Sequence, residues 1–281
     1  MTNILVAFKN ILENPINDVT SHYEGSNRIN GVGDALEAYV KDVFANTLEV
    51  KDDNKKNEIY EGLFSYIGNK NNPPDLMIRG GDAIEVKKIQ SLRSAIALNS
   101  SYPKDKVYSD SLMITSACRD CEEWKEKDLY YTVGVIDDKK LKTLWFIQGA
   151  CYSANKEVYE KIKNNIKDSL LELSDIEFVK TNEIAKVKKV DPLGITDLRV
   201  RGMWHIENPI KVYDYVTSID TNDSFSVNLI LLKDKYEQYP EVDREYLENS
   251  NKESFSLEDI KIKSPNNPAE LLEAKLITYK I

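Results

Sequence analysis

The chain has 281 residues and a formal net charge of −9 at pH 7. This length can bury a large core, and the composition is that of a globular rather than a disordered protein. The acidic balance excludes a protein that coats nucleic acid non-specifically, but it allows one that concentrates its basic groups locally. No apolar run approaches the ~20 residues that span a bilayer, so we expect no membrane partner. Three cysteines, an odd number, argue against a disulfide framework and predict a cytoplasmic location.

The first part of the chain predicts two helices and then a strand pair. The opening MTNILVAFKNIL has the spacing of an amphipathic helix and lacks the cleavage site of a leader. Apolar residues recur at helical spacing over 34–45, after a start signal at Gly33. Two apolar runs, 75–78 and 83–89, are joined by Arg-Gly-Gly-Asp and predict a β-hairpin.

The rest of the chain predicts further strands around one long helix. Runs 130–136 and 141–147 predict a second strand pair, and 155–173 predicts a helix with one apolar face. Runs 212–219 and 225–232 alternate or stay apolar, as strands do. This order predicts an α/β fold with a mixed central β-sheet flanked by helices.

The first hairpin carries charged residues on one face. Glu85 and Lys87 are two apart on a strand, so their side chains point the same way, while their apolar neighbours point to the other face. A turn with an odd number of residues places Asp75 opposite Glu85 or Lys87, on that face. A two-residue turn would place Asp75 on the wrong side. We therefore expect the odd register.

These groups suit the hydrolysis of a phosphodiester. Asp75 and Glu85 offer hard oxygen ligands for Mg²⁺, the expected cofactor, and the Val86 carbonyl is a natural third ligand. Lys87 would hold the attacking water or stabilise the developing negative charge. Glu37, at the margin of the apolar face of the preceding helix, would be a further catalytic carboxylate. The alternative is a solvated hairpin with surface charges and an exposed helix carboxylate.

Several blocks of the sequence resemble one nuclease family. GVGDALEAYVKDVFA, PPDLMIRGGDAIEVKKIQ and ALNSSYPKDKVYSD resemble, in the same order, the NgoPII-type type II restriction endonucleases of the PD-(D/E)xK superfamily. The blocks CRDCEEWKEKDLYYTVG, GMWHIENP and NPAELLEAKLITYKI extend the likeness over most of the chain. The resemblance implies a restriction-endonuclease-like core and a Mg²⁺-dependent homodimer that cuts double-stranded DNA at a short palindrome, GGCC for the family's namesake. A cognate DNA methyltransferase encoded nearby would be a functional partner, not a complex.

Two polar segments are candidates for DNA contact. Segment 98–106 offers donors to phosphates and base edges, and segment 197–205 has two arginines two apart, which suit guanine in the major groove. The candidate residues are Asn99, Ser100, Ser101, Lys104, Lys106, Arg199, Arg201 and His205. We expect Asn99 and the arginines to read bases, and the lysines to anchor phosphates. The alternatives are a plain surface loop, solvated arginines and a structural histidine.

We expect a single restriction endonuclease domain over 1–281. Its catalytic core would span about 30–150, with recognition and dimerisation elements at about 95–110 and 180–281. Two rival functions remain open at this point. One is a structure-selective PD-(D/E)xK nuclease of repair or recombination, and the other is a DNA-binding protein with a vestigial centre.

Cys118 and Cys121 have the spacing of half a zinc site. A structural zinc site needs four ligands, usually from a second pair at similar spacing. Apart from this pair, the sequence offers Cys151, His22 and His205, which are scattered along the chain. We therefore favour no zinc site and no redox role for this pair.

Overall fold

The structure is a computed structural model that describes residues 2–23, 31–69, 72–99, 101–138, 140–172, 177–179, 183–217 and 223–281. Ser100 and the side chain of Asn99 lie outside this description. The helices are α1 (Ile4–Glu13), α2 (Val19–His22), α3 (Val32–Ala45), α4 (Asp53–Leu63), α5 (Ser116–Arg119), α6 (Gly149–Tyr152), α7 (Lys156–Leu171), α8 (Pro209–Val212), α9 (Lys233–Gln238) and α10 (Glu241–Glu248). No helix in these ranges combines the length and the apolar character needed to cross a membrane.

The strands, again within the described ranges, belong to one large sheet and two small ones. They are β1 (Phe64–Asn69), β2 (Asn72–Ile78), β3 (Ala83–Ile89), β4 (Ile96–Asn99), β5 (Lys106–Tyr108), β6 (Glu126–Asp137), β7 (Lys140–Gln148), β8 (Glu177–Phe178), β9 (Ala185–Lys188), β10 (Leu198–Val200), β11 (Met203–Ile206), β12 (Ser226–Leu232), β13 (Phe255–Lys263) and β14 (Leu271–Lys280).

The central sheet is mixed. Its order is β1-β2-β3-β6-β7-β12-β14-β13, with β5 paired to the beginning of β6. The β3–β6 and β7–β12 pairs are parallel, and the other neighbouring pairs are antiparallel. The α/β fold with a mixed central sheet flanked by helices, predicted from the sequence, is confirmed.

Apolar side chains cover both faces of this sheet. On β7, Phe146 belongs to a core shared with α1 and α3, and its neighbour Trp145 belongs to a second core shared with α5 and α6. Each buried side chain of this kind contributes roughly 1.5–3 kcal/mol relative to exposure. The central strands are therefore held from both sides, and the helices predicted at the start of the chain, α1 and α3, are confirmed.

The two small sheets join distant parts of the chain. β4 pairs antiparallel with β11, so that Asn99 lies opposite Met203 and Ala97 lies opposite His205. β10, β9 and β8 form a three-stranded antiparallel sheet. The two segments predicted to contact DNA are thus connected through the β4–β11 pair.

One predicted strand is wrong. The pairs β2–β3 and β6–β7 and the strand β12 are present as predicted, but the run 212–219 is not a strand in its described part. Pro209–Val212 is a short helix, and residues 213–216 form turns. The Asn208 side chain accepts the Ile210 N–H at 3.0 Å, and proline at the first position favours helical φ. This local start signal outweighs the apolar pattern.

The predicted helix at 155–173 is confirmed as α7, but its apolar face is not buried. Val158, Ile162 and Ile166 lie four residues apart and are 52%, 48% and 45% exposed. No residue of α7 is buried. The helix therefore lies on the outside of the described structure.

Candidate active site

The register of the β2–β3 hairpin brings the predicted acidic residues to one face. The antiparallel ladder joins two residue pairs, Leu76–Ile84 and Met77–Ala83. One step further along this register, Asp75 comes opposite Glu85, and Lys87 shares their face because side chains alternate along a strand. The predicted odd register is confirmed.

Burial of the opposite face fixes this arrangement. Four apolar residues of the hairpin, Leu76, Ile78, Ile84 and Val86, are buried in the core that includes α1 and α3. A slip of one residue would move these side chains to the other face of the sheet and the charged ones into this core. At roughly 1.5–3 kcal/mol for each side chain, the slip would cost several kcal/mol. The hydrophobic pattern thus positions the charged groups.

Two short contacts fix the charged groups of the hairpin. Asp75 Oδ2 accepts a hydrogen bond from the Val86 N–H at 2.7 Å, and Lys87 Nζ lies 2.6 Å from Glu85 Oε1. The second oxygen of Glu85, Oε2, is buried and has no hydrogen-bond partner among the described residues. Such an oxygen has lost its water without compensation, which favours a cation beside it.

Burial and mutual repulsion also perturb the ionisation of the site. Burial, reinforced by the neighbouring Glu85 carboxylate, raises the pKa of Asp75 to about 7. Burial alone would lower the pKa of Lys87, but the carboxylates of Glu85 and Asp75 raise it above its ordinary value. Lys87 is therefore protonated at neutral pH, and a second positive charge would favour the ionised form of Asp75.

The chemistry of these donors fits Mg²⁺. In the part of the chain that the structure describes, no group of three or more His, Cys, Asp and Glu side chains could hold a metal ion. Mg²⁺ does not require such a cage, because it commonly takes one or two carboxylates and keeps water and substrate phosphate as its other ligands. The Val86 carbonyl lies on the same side of β3 as the N–H that Asp75 accepts, so it can supply a third protein oxygen.

Glu37 lies near the hairpin. It is half-buried on α3, which packs against β3. Its charge acts on both Asp75 and Lys87. Glu37 does not complete a three-residue metal site with Asp75 and Glu85. It therefore stays a candidate for an accessory catalytic role.

The sequence as a whole points to one family. Residues 2–263 match the family model of the NgoPII restriction endonuclease. The chain belongs to the NgoPII restriction endonuclease family. It is 47% identical over 280 residues to the type II restriction enzyme NgoPII of Neisseria gonorrhoeae, which covers 99% of this chain and 100% of that relative. No solved structure matches the chain.

The predicted resemblance is therefore confirmed. The protein is a type II site-specific deoxyribonuclease with DNA as its substrate. Neither rival prediction, the repair nuclease or the DNA-binding protein with a vestigial centre, accounts for a match over nearly the whole chain.

A basic groove of this restriction endonuclease includes Lys104, whose charge interacts with Glu85. It has a volume of about 450 Å³ and lies between segment 102–113 and α7. Its lysines are Lys104, Lys106, Lys156, Lys163 and Lys167, and they outnumber by one the acidic residues of the lining, which are Asp105, Asp110, Glu160 and Glu183. The three lysines on α7 share a side of the helix that differs from that of Val158, Ile162 and Ile166, and they were missed by the sequence analysis. Their spacing of seven and four residues was the signal that could have found them, because it places them on one helical face.

The two predicted phosphate anchors differ in their surroundings. Lys106 Nζ pairs with the Glu126 carboxylate at 2.5 Å near the surface. Lys104 is half-buried, its ammonium group donates to Ser101 Oγ, and its charge interacts with Glu85 and Lys87. Burial lowers the pKa of Lys104 to about 8. Only Lys104 is therefore coupled to the acidic hairpin.

The predicted base readers lie on the small sheets or directly after one of their strands. Arg199 and Arg201 both donate to the carboxylate of Glu183, which lines the basic groove, and they are 55% and 53% exposed in their side chains. The shared partner shows that the two arginines point the same way, as their spacing predicts. His205 is exposed on β11, and the position of Asn99 lies on the paired strand β4.

The side chains of Cys118 and Cys121 make contacts within the protein. Cys118 is buried with its sulfur 3.3 Å from that of Met77, and Cys121 donates to the Cys118 carbonyl at 3.1 Å. Burial raises the pKa of the Cys118 thiol to about 12. Since the thiolate is the form that binds metal, the thiol of Cys118 is a poor zinc ligand at neutral pH.

Proposed function

We propose that the enzyme makes Mg²⁺-dependent double-strand cuts at a short palindromic GC-rich DNA site, with GGCC expected from the family resemblance. The observation that supports the metal centre is the pairing of Asp75 with Glu85 on one face, beside the buried and unpartnered Glu85 Oε2. In this proposal Asp75, Glu85 and the Val86 carbonyl hold the cation.

The protein groups then have distinct tasks. When bound, Mg²⁺ would supply Lewis-acid stabilisation of charge on the scissile phosphate and lower the pKa of a bound water. Lys87, held against Glu85 at 2.6 Å, offers a protonated ammonium group to the negative charge that develops on the phosphate. The Val86 N–H fixes the orientation of the Asp75 carboxylate. Glu37 adds negative charge near the centre and favours protonated Lys87.

The DNA backbone lies along the basic groove in this proposal. Its five lysines and four acidic residues leave a small positive balance on this surface of a chain whose net charge is −9. Guanine acceptors would replace Glu183 as the partners of Arg199 and Arg201, since arginine binds both in a bidentate manner. Asn99 would read bases from the adjoining small sheet. Ser100, Ser101 and His205 would make further DNA contacts.

A palindromic site also implies symmetry of the enzyme. We propose a homodimer, because a two-fold axis places one catalytic centre on each DNA strand. A cognate DNA methyltransferase encoded nearby would protect host DNA at the same sequence without forming a complex. A cytoplasmic location agrees with free cysteines at 118, 121 and 151. The division into a catalytic core at about 30–150 and recognition elements at about 95–110 and 180–281 is part of this proposal.

Sequencing the ends of digested plasmid DNA tests the proposed specificity. In Mg²⁺ we expect discrete fragments whose ends share one short symmetric GC-rich sequence, and in EDTA we expect no cleavage. Ends without a common sequence would contradict site-specific cutting. A preference for junctions or flaps over linear duplexes would favour the repair nuclease instead.

The base readers can be separated from the phosphate anchors by alanine variants. Arg199→Ala or Arg201→Ala should weaken cognate binding by about 1–3 kcal/mol and relax the preference at one base pair. Lys167→Ala should weaken cognate and mismatched duplexes alike. Affinities must be measured at one salt concentration, because salt alone shifts them strongly. If both arginine variants keep full discrimination, the reading surface lies elsewhere.

A further inference from the structure

Lys104 lies next to the acidic hairpin although it belongs to another segment of the chain. Its charge interacts with Glu85, Lys87 and Lys163. The nearby Lys106 instead pairs with Glu126 at the surface. Both lysines line the basic groove, but of the two only Lys104 has a charge interaction with the carboxylate of Glu85.

The backbone of Lys104 is fixed by the strands that carry the site. Its N–H donates to Tyr131 Oη at 2.7 Å. Tyr131 lies on β6 directly beside Glu85 in the parallel register, so the two side chains share a face. The carbonyl of Asp105 accepts the Leu129 N–H at 3.1 Å, again from β6. Lys104 and Glu85 thus take their positions from the same pair of strands.

A glycine at the start of α6 permits this close packing. A Cβ at Gly149 would lie 2.5 Å from the Asp105 carbonyl oxygen and 2.6 Å from that of Lys104. Both atoms belong to the backbone, so neither can move as a flexible side chain would. α6 and β6 together hold the segment against the face that bears Glu85, and this restricts where the Lys104 ammonium can reach.

We propose that Lys104 is a second catalytic lysine, which donates a hydrogen bond to a non-bridging oxygen of the scissile phosphate. This inference rests on the proposed hydrolysis at Asp75 and Glu85. Lys87 already pairs with Glu85 Oε1, whereas the ammonium of Lys104 contacts the neutral hydroxyl of Ser101. Lys104 acts in its protonated form and transfers no proton; its role is electrostatic, and a partly desolvated cation stabilises developing charge more strongly than one in water.

The test separates binding from the chemical step. Affinity for a cognate duplex is measured in Ca²⁺, and single-turnover cleavage is measured in Mg²⁺ at saturating enzyme. Lys104→Ala should lower the cleavage rate by about 10²–10³-fold while affinity changes by less than about tenfold. Lys106→Ala should weaken binding, and saturating enzyme should restore its cleavage. Lys88→Ala, which alters an exposed lysine of β3, should change neither quantity.

A phosphorothioate at the scissile phosphate gives a second readout. If Lys104 contacts the substituted oxygen, sulfur should slow the wild-type enzyme but add little to the defect of Lys104→Ala, because the two changes remove one interaction. If Lys104→Ala fails to fold, Lys104→Gln replaces it, because glutamine keeps most of the length of the lysine side chain.

The opposite outcome would overturn the proposal. If Lys104→Ala or Lys104→Gln binds weakly but cleaves at the wild-type rate when saturated, Lys104 is an anchor of flanking phosphates. Failure of the proposed hydrolysis at Asp75 and Glu85 would give a different result. In that case Glu85→Ala would cleave like the wild type, whatever the effect of the Lys104 variants.

Discussion

Asp75 carries an electrostatic cost in the metal-free enzyme. Its pKa of about 7 in the fold exceeds the ordinary 3.8. Between these values the unfolded chain binds fewer protons than the folded one, so the free energy of unfolding falls as pH rises through this window. The destabilisation of the fold by Asp75 is complete above about pH 7 and absent below about pH 4. The carboxylate therefore opposes folding under the conditions in which it serves the site.

Asp75→Asn should remove this cost and keep an acceptor for the Val86 N–H. In EDTA at pH 8 we expect the free energy of unfolding to rise by about 1–3 kcal/mol, after discounting the shift for solvent screening. The gain should shrink as pH approaches 4. Urea titrations of both proteins across this range measure it, and an equal gain at every pH would contradict the assignment.

Lys87 should contribute to the chemical step rather than to folding. Lys87→Ala is expected to lose about 2.7–4 kcal/mol of transition-state stabilisation, the effect of one preorganised electrostatic group. Lys87→Arg should not restore it, because a planar fork replaces a compact charge. Single-turnover rates, with Lys88→Ala as the matched control, check this. A Lys87→Ala rate within about tenfold of wild type would make the lysine structural.

The positions of side chains that follow from local sequence pattern could be predicted from the sequence. The positions of those that depend on tertiary contacts could not. Asp75, Glu85 and Lys87 follow from alternation along strands and from the turn, which the sequence contains. The position of Lys104 depends on a hydrogen bond to Tyr131 and on the close approach of Gly149. Neither contact has a local sequence signal.

At the level of secondary structure, β1 supports the strand that carries Asp75. A Cβ at Gly68 would lie 2.4 Å from the Pro74 carbonyl oxygen and 3.0 Å from that of Asp75. These are backbone atoms, so a larger residue at position 68 must displace β1 or the beginning of β2. The glycine permits the approach that places Asp75 opposite Glu85.

Gly68→Ala should therefore impair both stability and cleavage. We expect it to lower the free energy of unfolding by about 1–3 kcal/mol, as overpacking does, and to slow single-turnover cleavage of the remaining folded enzyme. Gly62→Ala is the matched control, because a Cβ at that position on α4 meets nothing within 4 Å. Wild-type cleavage by Gly68→Ala would show that Asp75 tolerates the shift.

The sequence-based predictions of helices and strands were right or wrong for physical reasons. The spacing of α7 predicts its helix and its apolar side, but amphipathicity alone does not show whether another element covers that side. The run 212–219 has the apolar character of a strand, yet Asn208 and Pro209 begin a helix there. The β4–β11 pair joins segments about a hundred positions apart, which short-range patterns cannot indicate.

At the scale of the whole molecule, charge is distributed unevenly. The chain is acidic overall, yet the lining of the basic groove holds five lysines against four acidic residues. A local concentration of positive charge can attract DNA although the net charge has the opposite sign. Composition alone could therefore not predict the proposed DNA-binding surface. The fold class could be predicted, because the order of strands and helices indicated a mixed sheet.

The central claim is that Asp75 and Glu85 hold the catalytic cation. Its most direct test is cleavage of cognate plasmid in Mg²⁺ by Asp75→Ala and Glu85→Ala at saturating enzyme, with cognate-duplex affinity measured in Ca²⁺. Glu258→Ala is the control, because it removes an exposed carboxylate on β13, the edge strand farthest from the β2–β3 hairpin. We predict folded variants that bind DNA as tightly as the wild type, or more tightly as repulsion from phosphate is lost, and that do not cleave it. Full cleavage by either hairpin variant would contradict the account.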